Sequence, residues 1–317
     1  VSPPATTDTD SALATLRRDL RAHGARVVKG HGTENDFLLL DDPDGRINLT
    51  PAQVRALADR RAGVGADGVI RAVRSRHLPP AEARRLGPAA EWFMDYRNAD
   101  GSVAEMCGNG LRVFVAFLVD RGLVQLADGA AVVVGTRAGP LTVRREGELL
   151  AADLGPWSFP GGNAAVDAGY DATVAVAGLP GVRPGLRVAV PNPHTVVAVG
   201  DAGELAAADL SRAPRVDPPP PEGTNVEIVL PLGEETVAGR PLGVLRLRVH
   251  ERGVGETRSC GTGACAAALA VRAWAGAGAP DAWRVLVPGG ELEVRALPGG
   301  RVELAGPARL VADVDLR

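Results

Sequence analysis

Cys107 and Cys260 are the residues whose surroundings point most directly to chemistry. Each stands just before a Gly-x-Gly and an apolar run, "EMCGNGLRVFVAFLV" in the first case and "RSCGTGACAAALAV" in the second. Both stretches read as the start of a helix with cysteine at its N-terminus. A helix N-terminus exposes unpaired backbone N–H groups and about half a positive charge, so a thiolate is stabilised there and the thiol pKa is drawn down from about 8.5. The same N–H groups can cradle a carboxylate, and glycine lets a ligand approach the backbone closely. Two such thiols, each beside an anion cradle, form a matched acid/base pair. The third cysteine, Cys265, lies inside the second helix with no glycine setting and reads as structural.

Several uses of cysteine are excluded by spacing. A disulfide oxidoreductase usually carries Cys-x-x-Cys, which is absent. A zinc site needs about four clustered ligands, and the five histidines are scattered, so no metal is expected. Inverting a stereocentre needs one base to remove an α-proton and an acid on the opposite face to return one, a demand that two near-equivalent thiols meet. Lys29 is the only lysine. It is followed by Gly30 and His31, which argues against both a pyridoxal Schiff base and a Walker phosphate loop. No cofactor is expected.

Around these residues the chain reads as short strands punctuated by turns. "ARVVKGHG" and "DFLLLDD" are expected strands. "TPAQVRALADRR" is an expected helix, with Thr50 as cap and Pro51 in the first turn. Gly63, Gly65 and Gly68 have dinucleotide-fingerprint spacing but lie between a helix and a strand, the reverse of the required order. The segment 75–90 reads as a surface loop, and "EWFMDYRNADGS" as a strand closing in a turn. A Val-rich meander follows, and the second half repeats the theme. Asn35 and Asn192 each precede a strand at similar distances from the next cysteine, which suggests a tandem duplication whose copies bring both cysteine helices to one cleft.

Aromatic residues are only 3% of the chain and basic residues are not striped, so nucleic acid is not an expected partner. No apolar run is long enough for a membrane span. The first twenty residues show no basic flank followed by an apolar stretch, and three cysteines fit a reducing compartment, so a cytoplasmic location is expected.

Five motifs, "KGHGTENDF", "NADGSVAEMCGNG", "PNPH", "GTNVE" and "ERGVGETRSCGTG", in this order, make the chain from about residue 27 onward resemble the diaminopimelate epimerase family. These are pyridoxal-independent enzymes of lysine and cell-wall biosynthesis. The resemblance implies that Cys107 and Cys260 are the catalytic pair, and that Asn35, Asn98, Asn192 and Asn225 bind substrate with Glu251 and Arg252. It implies that Gly108, Asn109, Gly261 and Thr262 hold the reacting carboxylate, and that His194, with Glu251, supports proton transfer. Some family members carry Gln where this chain has Gly68. The implied fold is α/β (α+β), with two pseudo-symmetric domains, each a rolled, barrel-like mixed sheet around a central helix. Residues 25–150 with 306–317 would form the first domain and 151–305 the second, after an extension over 1–24 with one short helical stretch. A homodimer is also implied.

Proline and hydroxyproline racemases are the nearest alternative, but they typically show Cys-Gly-His-Gly where this chain has Cys-Gly-Asn-Gly. The phenazine-biosynthesis isomerases share the fold without the two thiols. A non-enzymatic diaminopimelate-binding protein is the alternative of a different class.

Overall fold

A computed structural model describes residues 8–316, and the local signals are visible at its element ends. The elements of the first half are α1 (Asp8–His23), β1 (Val27–Gly32), β2 (Asn35–Asp41), α2 (Pro51–Ala58), β3 (Gly68–Arg74), α3 (Pro80–Leu86), β4 (Trp92–Asn98), α4 (Gly108–Asp120), β5 (Ala131–Thr136), β6 (Gly139–Glu146) and β7 (Leu149–Pro156). The second half contains α5 (Gly162–Ala168), β8 (Ala172–Ala175), β9 (Arg183–Val190), β10 (Asn192–Ala198), α6 (Ala202–Ala207), β11 (Arg215–Asp217), β12 (Asn225–Val237), β13 (Arg240–Glu251), β14 (Gly255–Thr257), α7 (Gly261–Ala275), β15 (Ala282–Val287), β16 (Gly290–Leu297), β17 (Arg301–Gly306) and β18 (Arg309–Val314). The architecture is mixed α/β with a large mixed sheet.

Thr50 caps α2 through a full capping box, its side chain accepting from Gln53 N–H while Gln53 reaches back to the Thr50 N–H. The glycine stretch after α2 leads into β3, as its order requires. Lys29 braces it: Nζ donates to the Gly65 carbonyl at 2.7 Å and pairs with Asp36 at 3.1 Å. The sole lysine is therefore a structural clamp. Segment 75–90 departs from the expected loop. It forms a 3-10 turn, Ser75–His77, and then α3, which starts at Pro80. A proline in the first helical turn loses no hydrogen bond, so "LPPAEARRL" starts a helix rather than breaking one. The N-terminal stretch also does more than its polar composition suggests. Leu16 and Leu20 of α1 are buried with Leu38, Leu40, Ile47, Val54 and Leu57. Residues 1–7 lie outside the described residues.

The chain divides into two units: the described parts of Val1–Gly32 and Ala308–Arg317 with Asp36–Leu150, and Thr33–Asn35 with Ala151–Pro307. In the first, β1 pairs with β2, β2 runs parallel to β3, β3 antiparallel to β4, β4 parallel to β5, and β5 antiparallel to β6. In the second, β9 is antiparallel to β10, β10 parallel to β12, β12 antiparallel to β13, β13 parallel to β15, and β15 antiparallel to β16. The two pairing patterns are the same. Each contains a parallel crossover made through a cysteine helix, β4–α4–β5 and β13–α7–β15. The last strand, β18, pairs with β1.

Both crossover helices are buried nearly all round, as an apolar helix must be. Leu111, Val113, Phe114, Val115, Phe117 and Leu118 of α4 are fully buried, and α7 is buried from Gly261 to Val271. The small side chains of "GACAAALAV" let α7 pack against β9, β10, β12, β13, β15, β16 and β17. In the first unit, Asp95 is buried at the centre of a cation cluster. It accepts from Arg71 Nε at 2.9 Å and from Arg137, with Arg97 3.7 Å away. Burial alone would push its carboxyl up; Arg71, Arg137 and Arg97 outweigh this and hold it below the usual range. Among the described residues no helix is long and apolar enough to cross a membrane.

Candidate active site

The strand order places the functional residues at one edge in each unit. Parallel β2 and β3 start there and antiparallel β4 ends there, with Phe37 opposite Gly68 and Gly68 opposite Asn98. In the second unit β10 and β12 start at the corresponding edge and β13 ends there, with His194 opposite Asn225 and Val226 opposite His250. Asn192, Asn225 and Glu251 thus sit at strand termini, next to the helix that the following loop delivers.

Each cysteine is the N-cap of its helix. Cys107 has extended backbone, and its Sγ accepts from Gly110 N–H at 3.4 Å; Cys260 is arranged likewise, with Gly263 N–H at 3.4 Å. Cys260 is buried and Cys107 half-buried, and all three cysteines are free. Cys265 is fully buried inside α7.

Around Cys260 the predicted residues come together. Asn225 Oδ1 accepts the Arg252 backbone N–H at 2.9 Å. The Arg252 guanidinium donates to the Glu222 carbonyl from an exposed position. Glu251 accepts from Thr257 Oγ1 at 2.5 Å and is hydrogen-bonded to Cys260. Thr262 Oγ1 lies 3.6 Å from the Cys260 sulfur. Just upstream, Ser259 Oγ is 2.6 Å from Thr33 Oγ1, two residues before Asn35.

The electrostatics here run against the sequence expectation for one thiol. Burial pushes the Cys260 thiol well above its usual value, and the Glu251 and Glu227 carboxyls add to the shift; the Thr262 hydroxyl and Gly263 N–H oppose it and lose. The helix-terminus effect is present but outweighed, so Cys260 rests as a thiol. Burial also raises the Glu251 carboxyl, against the hydrogen bonds from Thr257 and Cys260.

Asn109 is fully buried, and its Oδ1 accepts from Arg112 Nη2 at 2.9 Å while Arg112 Nη1 donates to the Gly108 carbonyl. The Asn109 side chain is thus tied to its own helix. Asn98 donates from Nδ2 to Ser102 Oγ at 3.0 Å within its own turn. At Gly68, where the family resemblance leads one to expect Gln in some members, an added Cβ would meet Tyr96 Cε2 at 2.5 Å and the Arg97 carbonyl at 2.7 Å. This chain has filled that space with tyrosine, so no side chain reaches the site from position 68.

Sequence reasoning missed Glu227. It is fully buried in β12, and its Oε1 lies 2.6 Å from His194 Nδ1, while His194 Nε2 lies 2.9 Å from Asn192 Oδ1. Glu227 Oε2 is buried and has no partner. Oε1 also faces α7, 2.8 Å from where a Cβ on Gly263 would lie. The corresponding place in the first unit is apolar: a Cβ on Gly110 would meet Ile70 Cδ1 at 3.2 Å and Phe37 Cε1 at 3.4 Å. By strand register Phe37 corresponds to His194 and Ile70 to Glu227. The only signal for Glu227 was its position two residues after Asn225 in an otherwise apolar strand.

The sequence pattern of the family described as diaminopimelate epimerase matches residues 27–159 and 187–311. The chain is 46% identical over 296 residues to the diaminopimelate epimerase of Thermobifida fusca, covering 92% of this chain and 98% of that one. It is 45% identical over 290 residues to the enzyme of that name from Corynebacterium glutamicum, covering 90% and 95%. Among solved structures, a phenazine biosynthesis protein of the PhzF family from Bacillus anthracis matches with a TM-score of 0.60 at 15% identity, covering 92% of this chain and 98% of that chain. A hydroxyproline epimerase from Agrobacterium vitis matches with a TM-score of 0.56 at 14% identity, covering 92% and 91%. At such identities these two matches describe the fold alone.

Proposed function

Since this chain belongs to the diaminopimelate epimerase family and interconverts LL- and meso-diaminopimelate, we propose that Cys107 and Cys260 carry the reaction as its two acid/base groups. The observation that supports this reading is the repetition of one arrangement: a cysteine N-cap on a buried crossover helix, in two units with the same strand pairing. One thiolate removes the α-proton and the other thiol delivers a proton to the opposite face; in the reverse direction the roles exchange. Each unit is read as a sheet rolled around its helix, supplying one thiol. Burial and the neighbouring carboxyls favour the thiol form of Cys260, which suits it to deliver a proton.

The backbone N–H groups at Gly108, Asn109, Gly261 and Thr262 hold the reacting carboxylate, where they offset the negative charge that develops as the α-proton leaves. Asn35, Asn98, Asn192 and Asn225, with Glu251 and Arg252, read the two amino-acid ends of the substrate. Glu251 and His194 support the proton transfers at Cys260. The enzyme works in the cytoplasm as a homodimer, a reading supported by the family resemblance.

The test is α-deuterium incorporation into LL- and meso-diaminopimelate in heavy water, for the wild type and for Cys107→Ala and Cys260→Ala. Exchange accompanying epimerisation in the wild type, with epimerisation abolished in both variants, is the expected result. Epimerisation that survives in either variant overturns the two-thiol reading.

A further inference from the structure

The reading above uses His194 as a supporting group but gives no role to the buried carboxyl behind it. Glu227 and His194 have fully buried side chains and share a short 2.6 Å contact, and the far ring nitrogen meets Asn192 Oδ1 at 2.9 Å. These three residues form one line, from the interior of the second unit to the start of β10.

Charge decides how protons lie along this line. Glu227 Oε2 has no hydrogen-bond partner. A carboxylate with a bare oxygen and no counter-charge is the costliest state such a site could hold. Burial keeps the Glu227 carboxyl above its usual range. Oε2 offers its proton no acceptor, so the proton lies on Oε1 and is donated to His194 Nδ1, 2.6 Å away. With Nδ1 accepting, the imidazole carries its own proton on Nε2. An Nε2–H can only donate, so it selects the oxygen of the Asn192 amide as its partner. The Asn192 amino group must then point the other way.

We propose that Glu227 is a positioning residue: through His194 it fixes the orientation of the Asn192 amide, so that Asn192 presents its two N–H donors to a carboxylate of the substrate. This rests on the reading that Asn192 contacts substrate. Without Glu227 the imidazole could place its proton on either nitrogen, and the amide would turn its oxygen toward the carboxylate in part of the molecules. The first unit has Phe37 and Ile70 at the matching positions, neither of which is an acid. Orientation by a buried acid is thus a property of one copy.

The test combines Glu227→Leu, Glu227→Gln, Asn192→Ala and the Glu227→Leu/Asn192→Ala pair, with kcat and KM measured for diaminopimelate. Glutamine can donate to Nδ1 and so preserves the Nε2–H form. The expected result is a KM raised about tenfold by Asn192→Ala and by Glu227→Leu, the loss of about one hydrogen bond. kcat should fall far less, Glu227→Gln should keep most of the affinity, and the double variant should be no worse than Asn192→Ala. If Asn192→Ala raises KM but Glu227→Leu does not, or if their effects multiply in full, the positioning role is overturned while the substrate reading stands. If Asn192→Ala leaves KM unchanged, the substrate reading of Asn192 falls, and the proposal with it. Should Glu227→Leu fail to fold, nitrogen-15 NMR of labelled histidine decides, with the His194 signal identified by its loss in His194→Gln. A protonated Nε2 in the wild type and in Glu227→Gln upholds the proposal, and a bare Nε2 overturns it.

Discussion

Replacing Gly263 by alanine tests how tightly the second thiol's turn is built. Gly263 is the third residue of α7, and its N–H is donated to Cys260 Sγ. The added methyl would lie 2.8 Å from Glu227 Oε1 and 3.2 Å from both Cβ and Sγ of Cys260. That is roughly half an ångström short of an ordinary contact. The carboxyl has little room to retreat, because it is fully buried and held 2.6 Å from His194. Overpacking of this kind costs about 1–3 kcal/mol, against which alanine's better helix propensity returns about 0.5–1 kcal/mol. A net loss of about 1–2 kcal/mol corresponds to a melting-temperature drop of about 1.5–3 °C at this chain length. The control is Gly110→Ala, where the nearest atoms to the methyl are the Ile70 Cδ1 tip at 3.2 Å and Cys107 Cβ and Phe37 Cε1 at 3.4 Å; there the helix-propensity gain should cancel the crowding. Thermal melts and kcat/KM are measured for both variants. Gly263→Ala is expected to melt lower and lose at least tenfold in kcat/KM, with Gly110→Ala close to wild type in stability. Equal shifts in the two variants, or a Gly263→Ala protein as stable and active as wild type, would refute the reasoning.

Two further outcomes are expected. Glu251→Gln removes one of the carboxyls that add to the burial effect on Cys260, so the pH midpoint for Cys260 alkylation, followed peptide by peptide by mass spectrometry, should move down; an unchanged or higher midpoint contradicts the assignment. Asp95→Asn strands three arginines in the first unit and should cost about 3 kcal/mol in urea unfolding at pH 7. The Asp95 carboxyl is held low in the fold, so its contribution is present above the unfolded carboxyl pKa and is lost as pH falls through the folded value. The gap between wild type and variant should therefore narrow in acid, and a gap that widens there counts against the cation cluster as its cause.

The site was legible where its signals are local. Thr50, Pro51 and Gln53 announce α2, and a cysteine followed by Gly-x-Gly announces each N-cap, because caps depend on three or four adjacent residues. Helix α3 was hidden because Pro79 and Pro80 read as breakers when only their position in the first turn mattered. The packing of α1 was hidden by polar composition, although Leu16 and Leu20 fall four residues apart on one face. Glu227 was illegible for a different reason. From Asn225 to Leu230 every residue of β12 is buried, so no alternation marks a carboxyl as facing inward. The pKa of Cys260 was out of reach for the same cause: the carboxyls that help raise it come from β12 and β13, not from the cysteine's own turn.

The contrast between His194 with Glu227 and Phe37 with Ile70 bears on how the two halves can drift apart. The positions are neighbours on matching parallel strands, and in each half their side chains are buried. Changing one member alone would set a buried carboxyl against phenylalanine, or a histidine against isoleucine, leaving a polar group unsatisfied at a cost of about 1–3 kcal/mol. Both intermediates are worse than either end point. The pair therefore moves as a unit, and a chain with His194 and Glu227 in place has no single-step way to the apolar pair of its other half.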